Sequence, residues 1–407
     1  MKLRRARATA SVSSRQLTEN ARRAWLVALF ALISAYLFLV VGVQRLAASS
    51  AWITGDWLIN YSSGFVRRGL LGEIGRQLHY SAAIDPVSVV VMCKAFCYAT
   101  MCAALLLLGA RRKIGLIEIA ILLSPALLPF EINDPLGSGR KEIVLLALFT
   151  LYVVAGEFLP RSARPPQQQW RFWYLLVTLP VLTLIHEGLF FFFPFFLVYA
   201  WMKYDDVRGE ALVFGVPYVV SAFALLLSWM FRGGSGIAAA MCSSLTAMAV
   251  SPDVCGGATA ALERYDVRVG IWDIQRYLVL AMLTFGPLLW YGAQAITPLA
   301  RRPFLAGICL VSFMTAPLYV VSEDWGRWLH VTGVLLFVIV LACKDITVYP
   351  PVRRPAFTVA FAAAMATFAF SWQMPHWIHS PLPILRPSAE RLLGLMQQVY
   401  VVHAGTQ

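Results

Sequence analysis

Five polar intervals interrupt an otherwise apolar chain, and their residue types suit acid–base chemistry on an anionic substrate. The first, 55–78, holds Asp56 beside Trp57, the guanidinium pair Arg67 and Arg68, and glycines that let backbone approach a ligand. A carboxylate there can take a proton from an attacking hydroxyl, which makes Asp56 the first candidate for a catalytic base. The competing role is an interfacial helix cap with Trp57 as a belt anchor. The second interval, 133–142, carries Arg140 and Lys141 behind Gly137-Ser138-Gly139. Guanidinium forks and an ammonium grip a phosphate or diphosphate well. Basic residues near a span end also snorkel to the interface.

The third interval is His186-Glu187-Gly188, in the middle of an apolar run of about thirty residues. Ionisable groups at such depth are costly, so both are catalytic candidates: they would bind a sugar, orient an acceptor or share a proton. A satisfied structural pair is the alternative. The fourth interval lies around Glu263. The fifth, Glu323-Asp324-Trp325-Gly326-Arg327, repeats acid, aromatic and base. Arg327 would bind phosphate, Trp325 would stack on a sugar face and Asp324 would hold Arg327, unless the group is only a surface ion pair of little worth.

The elements that must position these groups are membrane spans. Of 407 residues, 59% are hydrophobic and 14% charged, with a mean hydropathy of +0.68, which excludes a soluble globular class. The formal charge of +13 sits in short loops, so positive-inside orientation accounts for it and no nucleic-acid partner is expected. No metal spacing occurs among the cysteines, histidines and acids, and no cofactor is expected. Cys93, Cys97, Cys102, Cys309 and Cys343 fall in apolar runs as small hydrophobes, whereas Cys242 and Cys255 share one polar loop and are candidates for a disulfide.

The pattern predicts an all-α polytopic protein of about eleven transmembrane helices, the N-terminus cytoplasmic and the C-terminus extracytoplasmic. A basic cytoplasmic tail (1–23) precedes a multi-pass domain (24–374) and an extracytoplasmic cap (375–407). Spans are expected at about 24–43, 86–109 and 114–132, with a fourth returning to Arg161, Arg164 and Arg171. An interfacial helix is expected within 64–79, in the first outer loop. The run 172–202 reads either as one long span or as a hairpin of two short ones; the hairpin keeps Arg301-Arg302 and Arg353-Arg354 inside. Later spans are placed up to about Phe231, at about 271–293 and 304–321, up to Lys344, and up to 374, with an amphipathic helix at 390–402 in the cap. This topology brings all five polar intervals to the extracytoplasmic face.

In this layout the chain resembles the multi-pass GT-C-type glycosyltransferases and bacterial polysaccharide polymerases. Their pattern is about ten to thirteen spans, an acidic base in the first outer loop and basic residues that hold a polyprenyl phosphate. Asp56 stands in the matching place, and Arg67, Arg68, Arg140 and Arg327 match the phosphate-holding role. The first loop has Asp56-Trp57 where those families carry paired acids, so no donor metal is expected. The resemblance implies a bacterial inner-membrane enzyme with a polyprenyl-linked sugar donor, a glycan or lipid-linked acceptor and membrane lipids as its partners. A flippase for the same lipid, a membrane O-acyltransferase using His186, and a non-enzymatic scaffold are the rival readings.

Overall fold

A computed structural model describes residues 2–46, 48–134, 136–159, 169–204, 207–234, 236–262, 269–345 and 355–379. Among them every extended element is a helix. In chain order these are α1 (Lys2–Leu46), α2 (Ile53–Leu58), α3 (Leu70–Ala82), α4 (Pro86–Arg111), α5 (Leu116–Leu122), α6 (Phe130–Asn133), α7 (Glu142–Phe158) and α8 (Trp170–Ile185). They continue with α9 (Pro194–Tyr204), α10 (Val207–Met230), α11 (Ile237–Ala247), α12 (Ile271–Ala295), α13 (Pro298–Val321), α14 (Trp325–Cys343) and α15 (Pro355–Ser371). Six described helices are long and apolar enough to cross a membrane: the 23–45 part of α1, α4, most of α10, α12, most of α13, and α14.

Local chemistry sets the helix ends. Asp85 caps α4 by accepting from Val87 N (3.3 Å) and Ser88 N (2.8 Å), with Pro86 in the first turn where its missing N–H costs nothing. Thr297 and Pro298 start α13 in the same way. The expected span at 114–132 is not one helix. It is broken between α5 and α6, where Ser124-Pro125-Ala126-Leu127-Leu128-Pro129 places two prolines a turn apart. Unwound backbone at that depth is tolerated because it is enclosed: Ala126, Leu127 and Leu128 are buried.

The centre of the bundle is α14. Its apolar window is 89% buried, against 28–44% for the other five candidate spans, which marks it as the helix the others surround. It packs on α7, α9 and α12. The outward faces of α10, α12 and α13 carry exposed Phe223, Trp229, Trp272, Met282 and Phe313, as a lipid-facing surface requires.

The bundle has two polar ends. At one, Glu157 of α7 accepts from Lys203 Nζ (2.7 Å) and pairs with Arg112, while Lys344 pairs with Glu118 and donates to Lys113 O (3.2 Å). At the other lie α2, α3, the 134–141 turn, His186 and the N-terminus of α14. The 172–202 run connects the two: α8 leads to His186, a 3₁₀ turn spans Glu187–Phe192, and α9 returns to Lys203 beside Glu157. The break has a local cause, since His186 is extended (φ −160°, ψ 117°) and its ring accepts from Gly188 N.

The expected interfacial helix in 64–79 forms as α3, and the shorter α2 precedes it and carries Asp56. Residues 372–379 run across the same end. Gly326 N donates to His376 O (3.1 Å), Ile378 N to Glu323 O (3.0 Å), and Tyr277 Oη to Pro375 O (2.7 Å). Glu263, Arg161, Arg164, Arg353, Arg354 and the expected 390–402 helix lie outside the described residues.

Candidate functional site

Four of the five polar intervals converge at one end of the bundle. Asp56 sits inside α2, 1% exposed, and neither carboxylate oxygen has a hydrogen-bond partner among the described residues. It is therefore not a helix cap. Its neighbours are Lys141 Nζ and Arg68 Nη1, each 3.8 Å from Oδ1. Burial works against the charge of Asp56. The Lys141 ammonium and the Arg68 guanidinium outweigh it and hold the carboxyl well below the ordinary carboxylate range.

The Arg68 backbone is left-handed (φ 65°), an unfavourable state for a residue with a Cβ. It is held from two sides. Lys141 Nζ donates to Arg68 O at 2.8 Å, and Arg68 Nε and Nη2 grip Glu187 at 2.9 and 2.7 Å. Arg67 Nη1 adds a third contact to Glu187 at 3.1 Å. Glu187 is thus fully engaged, and against the desolvation of its half-buried site Arg68 holds its carboxyl far below the usual value. Of the two carboxylates considered as bases, only Asp56 has oxygens without a hydrogen-bond partner among the described residues.

His186 is 2% exposed. Gly188 N donates to its Nδ1 at 3.0 Å, so the ring proton belongs on Nε2, which has no hydrogen-bond partner among the described residues. Burial and the nearby Arg68 push the imidazole down to about 3. It is a neutral donor at physiological pH. Lys141, itself fully buried, is pushed by desolvation to about 8, with Asp56 opposing the shift.

Arg140 is 7% exposed and has no carboxylate within ion-pair distance among the described residues. Its Nε reaches Leu136 O at 3.4 Å, and the guanidinium lies 5.7 Å from the Trp52 ring. Arg327 is held as expected, with Nη2 donating to Asp324 Oδ2 at 2.6 Å. Glu142, which carried no sequence signal of its own, stands 3.4 Å from Arg327 Nη1.

One expected role is revised. Trp325 is not free to stack on a sugar: its Nε1 donates to Ser322 O at 3.0 Å and its ring is packed edge-on against Tyr277 and Tyr319. The last residue of the Gly137-Ser138-Gly139 turn is engaged inside the protein. Gly139 N points inward to Tyr98 Oη and Glu131 Oε2, both at 3.1 Å, and Gly139 O accepts from Trp57 Nε1 at 2.9 Å. Glycine is required there, because φ is +62° and a Cβ would overlap the side-chain amide of Gln44.

Several groups at this end carried no sequence pattern. Trp328 follows Arg327 and stands 6.2 Å from the His186 ring, its indole nitrogen buried without a hydrogen-bond partner among the described residues. Lys94, buried in α4, donates to Gln44 (3.3 Å), which donates to Ser138 (2.9 Å). Glu131 and His330 meet beneath the 134–141 turn. A polar residue inside a predicted span was the available cue for Lys94 and His330. Cys242 and Cys255 are joined, their Cα atoms 5.9 Å apart. No group of three metal-ligating side chains occurs among the described residues.

The arrangement can hold an anion on Arg140 and Arg327, offer a carboxylate to a hydroxyl, and donate from His186 and Trp328 to oxygen acceptors. No curated protein and no solved structure matches the chain. One family model does, that of the uncharacterised membrane protein Rv1490, over residues 25–263. This match takes in the later part of α1, all of α2 to α11, and every site group except Asp324 and those on α14, and it covers more than half of the sequence; the chain belongs to the Rv1490 family of membrane proteins.

Proposed function

We propose that this chain is a glycosyltransferase or polysaccharide polymerase of the bacterial inner membrane, moving a sugar or oligosaccharide from a polyprenyl-(di)phosphate donor to an acceptor hydroxyl. In this reading the chain crosses the bilayer about eleven times, with the N-terminus in the cytoplasm and the site on the extracytoplasmic face. The basic cluster of Arg111, Arg112, Lys203 and Lys344 at the far end then obeys the positive-inside rule. The Cys242–Cys255 disulfide then lies on the oxidising side.

The observation that carries the reading is the pairing of Asp56, a buried carboxylate with no hydrogen-bond donor, with Arg140, a buried guanidinium with no carboxylate, at one end of the bundle among the described residues. Asp56 accepts the proton of the acceptor hydroxyl. The oxygen attacks the anomeric carbon, and the bond to the donor phosphate breaks with its electron pair leaving on the phosphate. Arg140 and Arg327 stabilise that charge. Drawing nearby cations toward the phosphate also relieves Asp56 of part of the field that keeps it weakly basic. His186 Nε2–H orients an oxygen of the sugar or acceptor and does not act as the base.

The test is Asp56→Asn, with polyprenyl-linked donor and polymer product measured in the same cells. Transfer should fall by about 10²–10⁴-fold, with donor accumulating on the extracytoplasmic side. A second reading, a flippase for the same charged lipid, is favoured by the broken α5–α6 helix, a device common in transporters. Retained product with Asp56→Asn, together with donor trapped on the cytoplasmic side when Arg140 is neutralised, selects the flippase.

A further inference from the structure

Glu142, the first residue of α7, has no part in the steps above, yet it is enclosed almost as fully as Asp56. It is 4% exposed, and neither carboxylate oxygen has a hydrogen-bond partner among the described residues. Arg327 Nη1 lies 3.4 Å from Oε1, close enough for attraction and too poorly aligned for a bond. A carboxylate buried in that state is costly unless donors reach it.

Direct contacts and chain neighbours tie Glu142 into a closed circuit. Lys141 precedes it and stands 3.8 Å from Asp56; Arg68 stands at the same distance from Asp56 and holds Glu187. His186 precedes Glu187, and its ring is 6.2 Å from that of Trp328. Trp328 follows Arg327, which returns to Glu142. Five members of this circuit are at most 4% exposed and carry side-chain atoms without a hydrogen-bond partner among the described residues: both oxygens of Asp56 and of Glu142, His186 Nε2, Trp328 Nε1 and Arg327 Nε. The oxygens accept. The nitrogens donate: Gly188 N gives its hydrogen to His186 Nδ1, which leaves the ring proton on Nε2, and indole and guanidinium N–H groups have no lone pair to offer.

A ligand that satisfies this set must donate at some points and accept at others. An ammonium would answer the carboxylates and leave the N–H groups facing another donor. A phosphate would answer the N–H groups and leave the carboxylates facing another acceptor. A divalent cation would meet the charges of Lys141 and Arg327 beside the same oxygens, at 3.8 and 3.4 Å. A hydroxyl donates and accepts at once, and several on one ring answer the whole set.

We propose that Glu142 is a specificity-determining residue that, with the Trp328 N–H, binds a pair of neighbouring hydroxyls on a pyranose, beside the hydroxyl taken by Asp56. Its two oxygens accept from the two hydroxyls, and Trp328 Nε1 donates to one of their oxygens. A sugar lacking either hydroxyl leaves the carboxylate buried without a donor and is rejected on that account. The inference rests on the sugar-bearing substrate of the proposed function and not on the transfer step.

The test uses purified full-length protein in lipid nanodiscs and a panel of methyl pyranosides, with the monodeoxy analogues of each one that binds; saturation-transfer NMR reads the affinities. A hydrogen bond to a charged group is worth about 10–100-fold in affinity, so at least one monodeoxy analogue should bind that much more weakly than its parent. In Glu142→Gln, which keeps the shape and loses the charge, the gap should shrink to a few-fold. Trp328→Phe keeps a ring and removes the N–H, and should weaken the parent pyranoside several-fold. If Glu142 only steadies Arg327, parent and analogue shift together and the gap stays. That pattern, an unchanged affinity in Trp328→Phe, or a panel in which no pyranoside binds the unsubstituted protein overturns the proposal. Polyprenyl phosphate retained on Arg140 with no pyranoside bound sinks this inference alone. A pyranoside bound with the expected discrimination, while transfer survives Asp56→Asn, keeps this inference and removes the glycosyl-transfer reading.

Discussion

Replacing Glu187 by glutamine tests the geometry at the point where most charge converges. Glu187 receives three bonds from Arg68, at 2.7, 2.9 and 3.0 Å, and one from Arg67 at 3.1 Å. The amide of Glu187→Gln would keep the shape and one acceptor but lose the charge, leaving two guanidiniums against each other. Breaking a buried ion pair from one side costs about 3–5 kcal/mol. The side chains of Arg67, Arg68 and Glu187 retain 24%, 25% and 19% exposure, so water recovers part of that loss. The lower end, about 3 kcal/mol, is therefore expected. Arg68→Gln should cost a similar amount, and the double variant less than the sum, with a coupling of about 2 kcal/mol. Equilibrium unfolding in mixed micelles measures all three. A loss below about 0.5 kcal/mol with strict additivity would mean an ordinary solvated bridge and would refute the reasoning.

Other outcomes follow from the same contacts. His186 titrates near 3 when folded against about 6.5 unfolded, so it contributes stability that is full above about 6.5 and lost as pH falls toward 3; His186→Gln should flatten that stretch of the stability profile. Gly139→Ala meets Gln44 and an adverse φ, so it should destabilise the turn and weaken retention of a polyprenyl phosphate, and Gln44→Ala should restore part of the loss. Cys242→Ser with Cys255→Ser should lower stability by about 3 kcal/mol for the loop they close, and thiol alkylation before and after reduction counts the pair. Charge removal at Arg140 alone should abolish polyprenyl phosphate binding, seen by native mass spectrometry, while leaving the fold intact because no carboxylate is stranded.

Composition and periodicity were enough to make this a helical membrane protein, because a bilayer imposes span length and apolarity on the sequence itself. The same local rules made Asp56, Arg67, Arg68, Arg140, Lys141, His186, Glu187 and Arg327 conspicuous: an ionisable residue among apolar neighbours is visible without a fold. Their partners were not visible. That Arg68 takes Glu187 from 119 residues away, leaving Asp56 without a donor and Arg140 without an acid among the described residues, is decided by which helix ends meet. Trp325 looked like a sugar platform in sequence and is a packed core residue, since exposure is a property of the assembled bundle. The split of 114–132 into α5 and α6 was written in Pro125 and Pro129, but only enclosure by the surrounding helices makes such a break tolerable. Glu131 and His330, far apart in the chain, gave no pattern; Ala126 O in the unwound segment orients the imidazole toward the acid, and that contact exists only once the helices have packed. Residue order dictates which groups a membrane chain must bury, and packing alone decides which of them are left facing one another.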